Sequence, residues 1–292
     1  MTDFLARQEH FAIVASTNDV VRGWLAEGTP EVCLAVADEQ SAGRGREGRT
    51  WTAPAGAALL LSLGFRPTWL EPDRAWRLAA TASLAMADAA EEVAGLPDGA
   101  IRLKWPNDLV VETVGAVVPH APERPTEVRK LAGILGETEG LGTADPRVVI
   151  GLGTNTDWPE SAFPPDLADA MTSLRAASGG RPIDHGVLLD AFLGRLEFRI
   201  AALRAGRFDV ADWVDRQLTT GREVVLTGPD GTAGTLRAVG VDVGSGALLV
   251  DDPTAPDGER PVLVGEVRRV RLADTVPASP APDPAPAARA EV

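Results

Sequence analysis

The apolar positions change texture near residue 218. Before it, short apolar runs alternate with longer segments of helical period. Val20, Val21, Trp24 and Leu25 recur at helical spacing behind Ser16-Thr17-Asn18-Asp19, a helix start in which Ser16 and Thr17 are candidate caps, and Gly28 ends that helix. Residues 32–37 and 57–64 are apolar runs of strand length. Pro72-Asp73 opens a long helix with Trp76, Ala79, Ala80, Ser83, Met86, Ala87 and Ala90 close to one face, and Gly95 terminates it. Residues 101–105 and 108–112 read as strands about the turn-forming pair Pro106-Asn107. Residues 113–129 are Pro-rich and mixed, which predicts a long excursion between strands. Residues 130–138 and 147–154 are the next strands, joined by a turn at Gly140 and Gly142. Leu188, Leu189, Phe192, Leu196 and Ile200 mark a helix over 187–203, and another runs over 208–218, capped at Asp209. Strands that follow one another with few helices between them predict an α+β fold: a mixed, largely antiparallel sheet with helices on one face.

Beyond 218 the runs shorten. Residues 224–226, 235–241, 247–250 and 262–272 are short strands between Gly/Asp/Pro turns such as Gly228-Pro229-Asp230-Gly231. This spacing predicts a small all-β barrel of about 50 residues. The expected division is therefore a unit over 1–218, a barrel over 219–273 and a tail over 274–292. The tail is rich in Pro and Ala with almost no bulky apolar residue, so it cannot bury enough surface to order itself.

The 292 residues, 45% hydrophobic, suffice for a sizeable core. The net charge of -14 argues against bulk binding to nucleic acid or an anionic membrane, where affinity comes from many basic contacts. The single cysteine, Cys33, excludes an intrachain disulfide and a multi-cysteine zinc site, and its apolar surroundings make it core filler. The first ten residues lack a signal-peptide core, and no apolar run reaches the roughly 18 residues of a membrane span, so a cytoplasmic location is expected.

Against this acidic background one stretch is cationic. Gln40-Ser41-Ala42-Gly43-Arg44-Gly45-Arg46-Glu47-Gly48-Arg49-Thr50-Trp51 alternates glycine with arginine. Arginine offers a fork of donors to carboxylate or phosphate, and glycine lets backbone approach a ligand. Glu47 lowers the local charge to +2, three arginines against one acid. Taken alone, the stretch also fits a solvated turn or a nucleic-acid contact, but the latter predicts stacking aromatics and further basic clusters, which the absence of tyrosine, the seven phenylalanines and the acidic balance oppose. Four other pieces accompany it: Ser16-Thr17-Asn18, Lys104-Trp105-Pro106-Asn107-Asp108, Lys130-Leu131-Ala132-Gly133-Ile134-Leu135 and Gly151-Leu152-Gly153-Thr154-Asn155. Each has an ordinary explanation as a cap, a turn, a lysine reaching for solvent or a bulged strand. Their order along one chain does not.

The set resembles the biotin–protein ligases (biotin–[acetyl-CoA-carboxylase] ligases) over residues 12–272, most specifically in the loop from Gly43 to Trp51, in KWPND and in KLAGIL. The resemblance implies a catalytic domain related to class II aminoacyl-tRNA synthetases and a C-terminal SH3-like barrel. It implies that biotin and ATP, with Mg²⁺ on the phosphates and no dedicated side-chain cage for the metal, form biotinyl-5′-AMP. The acyl group then passes to a lysine of the biotin carboxyl carrier domain of an acetyl-CoA, acyl-CoA or pyruvate carboxylase. By resemblance, Ser16, Thr17, Gln40, Gly43, Arg44, Arg46, Lys130, Gly133, Leu135 and Gly151 surround biotin. Arg44, Arg46, Arg49, Trp51, Lys104, Asn107, Asp108, Lys130 and Asn155 serve ATP, with Lys130, Arg46 and Asp108 as the catalytic set. Trp51 and Asn155 would hold the adenine side. Lipoate ligases and octanoyltransferases share the implied fold but lack the arginine loop paired with KWPND. A non-catalytic biotin sensor would lack Lys130, Asp108 or the arginines. About 11 residues precede the expected first strand, too few for a helix-turn-helix domain, so the ligase-only type without DNA binding is expected. A homodimer through an exposed sheet edge stays open.

Overall fold

The structure is a computed structural model that describes residues 4–114, 126–227, 233–263 and 266–271. A seven-stranded sheet forms the larger unit. In chain order its strands are β1 (Arg7–Val14), β2 (Cys33–Gln40), β3 (Ala58–Phe65), β4 (Ile101–Lys104), β5 (Asp108–Val114), β6 (Thr126–Glu139) and β7 (Arg147–Asn155). They lie side by side as β1-β2-β3-β7-β6-β5-β4. Only the β1–β2 pair is parallel; the other ladders are antiparallel. Helix α1 (Thr17–Ala26) makes the crossover that a parallel pair needs. The first strand begins at Arg7, earlier than its weak apolar pattern suggested, and it is a half-exposed edge.

Helices cover both faces, not one. Side chains alternate across a strand, so β2 sends Leu34 and Val36 to one face and Cys33 and Ala35 to the other. The first face packs beneath α2 (Trp76–Ala94), an alanine-rich helix whose alanines allow close approach to the sheet. A 3₁₀ turn, Pro72–Arg74, precedes α2, and Gly95 caps its end at φ 58°. The opposite face receives Val21, Trp24 and Leu25 of α1. There Gly64 is required: a Cβ would lie 2.5 Å from Cys33 Sγ and 2.7 Å from Val21 Cγ1. Burial pushes the Cys33 thiol up to about 11, which leaves it a packing residue.

Further on, α3 (Leu174–Ala177) is a single turn, α4 (His185–Arg204) packs on α2, and α5 (Val210–Asp215) is shorter than its sequence pattern suggests. The chain after α5 turns extended to pair with β4: Leu103 N–H donates to Arg216 O and Leu218 N–H to Leu103 O, both at 2.8 Å. Arg216 itself, buried, donates to Glu91 at 2.9 Å, Asp88 at 2.7 Å, Asp212 at 2.9 Å and the carbonyl of Ile101 at 2.9 Å.

A second, five-stranded antiparallel sheet follows: β8 (Glu223–Thr227), β9 (Ala233–Val241), β10 (Leu248–Asp251), β11 (Glu259–Val262) and β12 (Glu266–Arg271), ordered β11-β10-β9-β8-β12. The stretch expected as one strand over 262–272 is thus parts of two. The 228–231 turn lies outside the described residues, as does the 274–292 tail. The expected 113–129 excursion is narrower than its composition implied. Residues 111–114 of β5 pair with 126–129 of β6. The part over 115–125 lies outside the described residues.

Candidate active site

The α1 face of the sheet is interrupted where β6 and β7 carry glycines. Gly133 pairs with Gly153 and Leu135 with Gly151, so these four share one face. Asp108 of β5 pairs with Gly133 and joins them. The notch they leave is a cavity of about 130 Å³. Its walls are Ser16, Thr17, Gln40, Arg44, Arg46, Arg49, Trp51, Asn107, Asp108 and Lys130, with the three glycines as floor.

Lys130 reaches this face because β6 carries a bulge. Leu109 pairs with Ala132 but Val110 pairs with Lys130, leaving Leu131 as the extra residue. Leu131 and Ala132 therefore both enter the core, at 0% exposure, and Lys130 turns to the cavity. Its backbone is pinned from outside the sheet, with Lys130 N–H donating to Ala170 O and Thr172 N–H to Lys130 O, both at 2.8 Å. Lys130 Nζ lies 2.6 Å from Asp108 Oδ1, and Lys104 Nζ lies 3.8 Å from Asp108 Oδ2. Asp108 thus holds two ammonium groups at the cavity wall. Asn107 fixes that wall: its Nδ2 donates to Ile134 O at 2.8 Å and its own carbonyl accepts from Ile134 N–H at 2.9 Å.

The arginine loop is a hairpin. Trp51 N–H donates to Gly43 O at 2.9 Å and Gly45 N–H to Arg49 O at 2.7 Å. A 3₁₀ turn, Arg46–Gly48, makes its tip, with Glu47 at φ 57° in the left-handed region. Gly43 is needed for the closure, since a Cβ there would meet Trp51 O at 2.5 Å. The Trp51 indole lies over the glycine floor; a Cβ on Gly153 would be 2.6 Å from its Cε2, and one on Gly133 3.1 Å from its Cζ3. Lys130 Nζ is 5.4 Å from the indole centroid. Trp51 Nε1 is buried without a hydrogen-bond partner among the described residues.

At the other end sits a polar cluster. Ser16 does not cap α1 with its side chain. Gln40 does that work from the end of β2: its Oε1 accepts from Thr17 N–H at 2.7 Å and Thr17 Oγ1 at 3.0 Å. Ser62 Oγ lies 2.7 Å from Thr17 Oγ1 and 2.6 Å from Asn18 Oδ1. Asn18 Nδ2 donates to Glu137 Oε2 at 2.8 Å. Gly151 makes room for Asn18, whose Oδ1 would stand 2.3 Å from a Cβ there.

Of the residues expected at the site, the three biotin-side polar groups, the three arginines, Trp51, Asn107, Asp108, Lys130, Gly133, Leu135 and Gly151 line the cavity. Gly43 stands behind it as the hairpin's closing pair, and Lys104 lines an adjoining cleft of about 860 Å³. Asn155 does not line the cavity, and its Nδ2 donates to Thr172 O at 2.9 Å. Ser62 and Glu137 carry no signal of their own in the sequence, and Asn18 and Asp19 stand out there only as part of the α1 start. Ser62 is the one polar residue in the run Ala58–Phe65, and Glu137 falls on the same face as Gly133 and Leu135 by simple alternation. Among the described residues no group of three or more His, Cys, Asp and Glu could hold a metal ion.

With this geometry in place, residues 10–155, half the chain, match the Biotin/lipoate A/B protein ligase family. The chain belongs to that family. The family region contains the arginine loop, KWPND, the bulged strand and the glycine floor. Among its relatives, the biotin–[acetyl-CoA-carboxylase] ligase of Mycobacterium tuberculosis is 36% identical over 199 residues, 67% of this chain and 65% of that protein. The bifunctional ligase/repressor BirA of Bacillus subtilis is 31% identical over 176 residues, 60% of this chain and 48% of that protein. The aligned region is thus about half the length of that relative. The biotin protein ligase of Aquifex aeolicus, solved in complex with biotin and ATP, superposes with a TM-score of 0.69 at 24% identity, covering 91% of this chain and 99% of that one. At that identity the likeness is one of fold.

Proposed function

We propose that this chain is a biotin–protein ligase. It activates biotin with ATP as biotinyl-5′-AMP and transfers the acyl group to a lysine on the biotin carboxyl carrier domain of a biotin-dependent carboxylase. The observation that carries the reading is the convergence on one cavity of Lys130, Asp108 and the arginine loop at one end and the Gln40–Thr17 pair, backed by the buried Ser62, at the other. Two of the relatives described above bear names as ligases of biotin, which supports the choice of acyl substrate within the family.

In the first step a carboxylate oxygen of biotin bonds to the α-phosphorus of ATP, and the bond from that phosphorus to pyrophosphate breaks. Two anions must meet, and the site supplies cations in a walled cleft where their effect is largest. Lys130 is fixed by the bulge, by the backbone bonds to Ala170 and Thr172 and by Asp108. It is assigned to bridge carboxylate and α-phosphate, with Arg46 and Arg49 on the phosphates. The donor set fits Mg²⁺ carried in on ATP: Asp108 and Glu47 are the two carboxylates at the cavity wall, and magnesium bound to phosphates needs only one or two. Bound there, the ion would neutralise the phosphates and the leaving pyrophosphate. Gln40, Thr17 and Ser16 are assigned to the ureido group, which has both donors and an acceptor to satisfy. In the second step the lysine amine of the carrier bonds to the acyl carbon, the anhydride bond breaks, AMP leaves and the amine gives up a proton. A covered cleft keeps water from the anhydride until then.

The second sheet is assigned as the SH3-like unit, over 219–273. Its β9–β10 turn is tied to the site: Trp105 Nε1 donates to Gly246 O at 3.1 Å and Trp76 Nε1 to Gly244 O at 3.2 Å. Incubation with ATP, Mg²⁺ and a carrier domain, with biotin or lipoate in parallel, tests the proposal. Mass spectrometry should show the biotinyl group on one carrier lysine. Absence of that product with folded protein, or lipoyl product in its place, refutes the reading.

A further inference from the structure

One turn of the second sheet, residues 242–246 between β9 and β10, is presented to the larger unit. Asp242 shapes it: its carboxylate accepts from Ser245 N–H at 2.9 Å and Gly244 N–H at 3.3 Å, and its carbonyl accepts from Gly246 N–H at 2.8 Å. Three carbonyls of the turn accept from side chains of the larger unit. Val243 O takes Arg77 Nη2 at 3.1 Å, Gly244 O takes Trp76 Nε1 at 3.2 Å and Gly246 O takes Trp105 Nε1 at 3.1 Å. Gly246, at φ 75°, lies against the Trp76 ring, where a Cβ would meet Cδ2 at 2.8 Å. Trp76 is packed in turn by Phe208 and Trp213, with ring centroids 5.4 and 4.8 Å away. The turn is thus seated on an aromatic platform, and its last carbonyl is a fixed acceptor.

Trp105 is where that seat meets the chemistry. It stands in the β4–β5 turn between Lys104 and Asp108, is 6% exposed and lines the cavity. Lys104 and Asp108 are register partners on either side of this turn, and Asp108 holds Lys130 Nζ at 2.6 Å. Asn107 ties the turn to Ile134 of β6, and the Trp105 indole ties it to Gly246. The carbonyl of Gly246 supplies the acceptor that a buried indole N–H requires.

We propose that Trp105 and Gly246 are positioning residues. Their hydrogen bond carries the seat of the second sheet into the β4–β5 turn and sets Asp108, and through it Lys130, where biotin's carboxylate meets the α-phosphate. Such placement matters because about 1 Å of error can cost roughly a hundredfold in rate. Trp76 makes the same kind of bond to the same turn but lines no part of the cavity, so it seats the turn and goes no further. The effect on catalysis rests on the ligase reading above; the link from Gly246 to Asp108 does not.

The two tryptophans make the test. Full-length Trp105→Phe and Trp76→Phe each lose one indole N–H to this turn and keep an aromatic ring. Gly246→Ala breaks the Trp105 link from the other side. The two tryptophan variants should lower the melting temperature by similar amounts. In Trp105→Phe and Gly246→Ala, kcat for biotinyl-AMP formation should fall roughly five- to tenfold while the KM values for biotin and ATP stay within about twofold. The Trp105→Phe/Gly246→Ala double variant should be no slower than the slower single one. In Trp76→Phe, kcat should stay within about twofold of wild type. A second readout needs no turnover. Lys104 and Lys130 are the only lysines of the chain, and both pair with Asp108. An ammonium paired with a carboxylate is slow to be acylated. Acetic anhydride, read by peptide mass spectrometry, should therefore label both lysines several-fold faster in Trp105→Phe and Gly246→Ala than in wild type or Trp76→Phe. Unchanged labelling in Trp105→Phe overturns the proposal. So does a kcat loss in Trp76→Phe as large as that in Trp105→Phe, which makes the turn a matter of general stability. A normal kcat in folded Gly246→Ala overturns it too, since the loss then belongs to Trp105 alone. If Gly246→Ala does not fold, the two tryptophan variants decide. Should wild type form no biotinyl product, the ligase reading falls while the labelling still decides the link.

Discussion

Ser62 offers a sharp test of how the cavity's polar end is held. It sits at 0% exposure in a strand that is otherwise apolar, and two acceptors face its single proton: Thr17 Oγ1 at 2.7 Å and Asn18 Oδ1 at 2.6 Å. Thr17 has its own outlet, since its hydroxyl can donate to Gln40 Oε1 at 3.0 Å. Asn18 Oδ1 can only accept, and Asn18 is 5% exposed. Ser62→Ala therefore deletes one hydrogen bond and leaves a buried carbonyl oxygen without a donor. Stranding that acceptor costs about 1–3 kcal/mol. For a chain of this size that lowers the melting temperature by roughly 2–8 °C. The same change slackens Thr17 and Gln40, so biotin affinity should fall about fivefold, equivalent to about 1 kcal/mol. Calorimetric melting and isothermal titration with biotin read the two effects separately. A melting temperature within about 1 °C of wild type would refute the assignment of a stranded acceptor. Unchanged biotin affinity alongside the expected melting shift would refute the link from this cluster to the ligand.

Other outcomes follow from the same geometry. Lys130→Ala should cut adenylate formation by orders of magnitude with little effect on melting, because the ammonium is 37% exposed on its side chain and packs in no core; unfolding of the variant would make Lys130 structural. Asp108→Asn should slow both adenylation and transfer; normal transfer from preformed biotinyl-AMP would exclude a part for Asp108 in receiving the amine's proton. Arg216→Ala leaves Glu91, 2% exposed, without its guanidinium and should cost about 3–5 kcal/mol in chemical denaturation, and a loss under about 1 kcal/mol would overturn that view of the network. Burial pushes the His185 imidazole below its ordinary value, so the unfolded chain binds its proton first as pH falls. Stability from this group is present above about pH 6.5 and declines below it, and His185→Gln should flatten that part of the melting profile.

Much of this was legible from residue order because the signals are local. Glycine stops, the apolar runs of β2, β3 and β7, and the turn at Pro106-Asn107 are each set within a few residues. The edge strand β1 was half hidden because an edge exposed along one side carries polar residues at alternate positions, and only its parallel partner β2 completes the pattern. Placement of α1 on the second face was invisible for a different reason. Both faces of β2 are apolar, so alternation gives no preference between them, and the choice is made by Gly64, where backbone contact with α1 is possible. Asn18 and Glu137 come from α1 and β6 and pair only once those elements meet.

The bulge at Leu131 shows why motif and geometry coincide in KLAGIL. Strict alternation along β6 from Gly133 sends Lys130 into the core and Leu131 into the cavity, which would bury a charge and expose an apolar side chain. One inserted residue reverses both. Two consecutive apolar residues, Leu131 and Ala132, satisfy the core together, and the lysine before them swings to the cavity. The glycine after them keeps the floor low enough for Trp51 to lie flat beside the lysine's ammonium. The run lysine–apolar–apolar–glycine is therefore the sequence image of a bulge that aims a cation. Its register is held at one end by Asn107 on Ile134 and at the other by Ala170 and Thr172 on Lys130. A substitution that leaves Lys130 intact but makes Leu131 polar should disable the site as fully as losing the lysine, because a polar residue at 131 removes the reason for the strand to bulge.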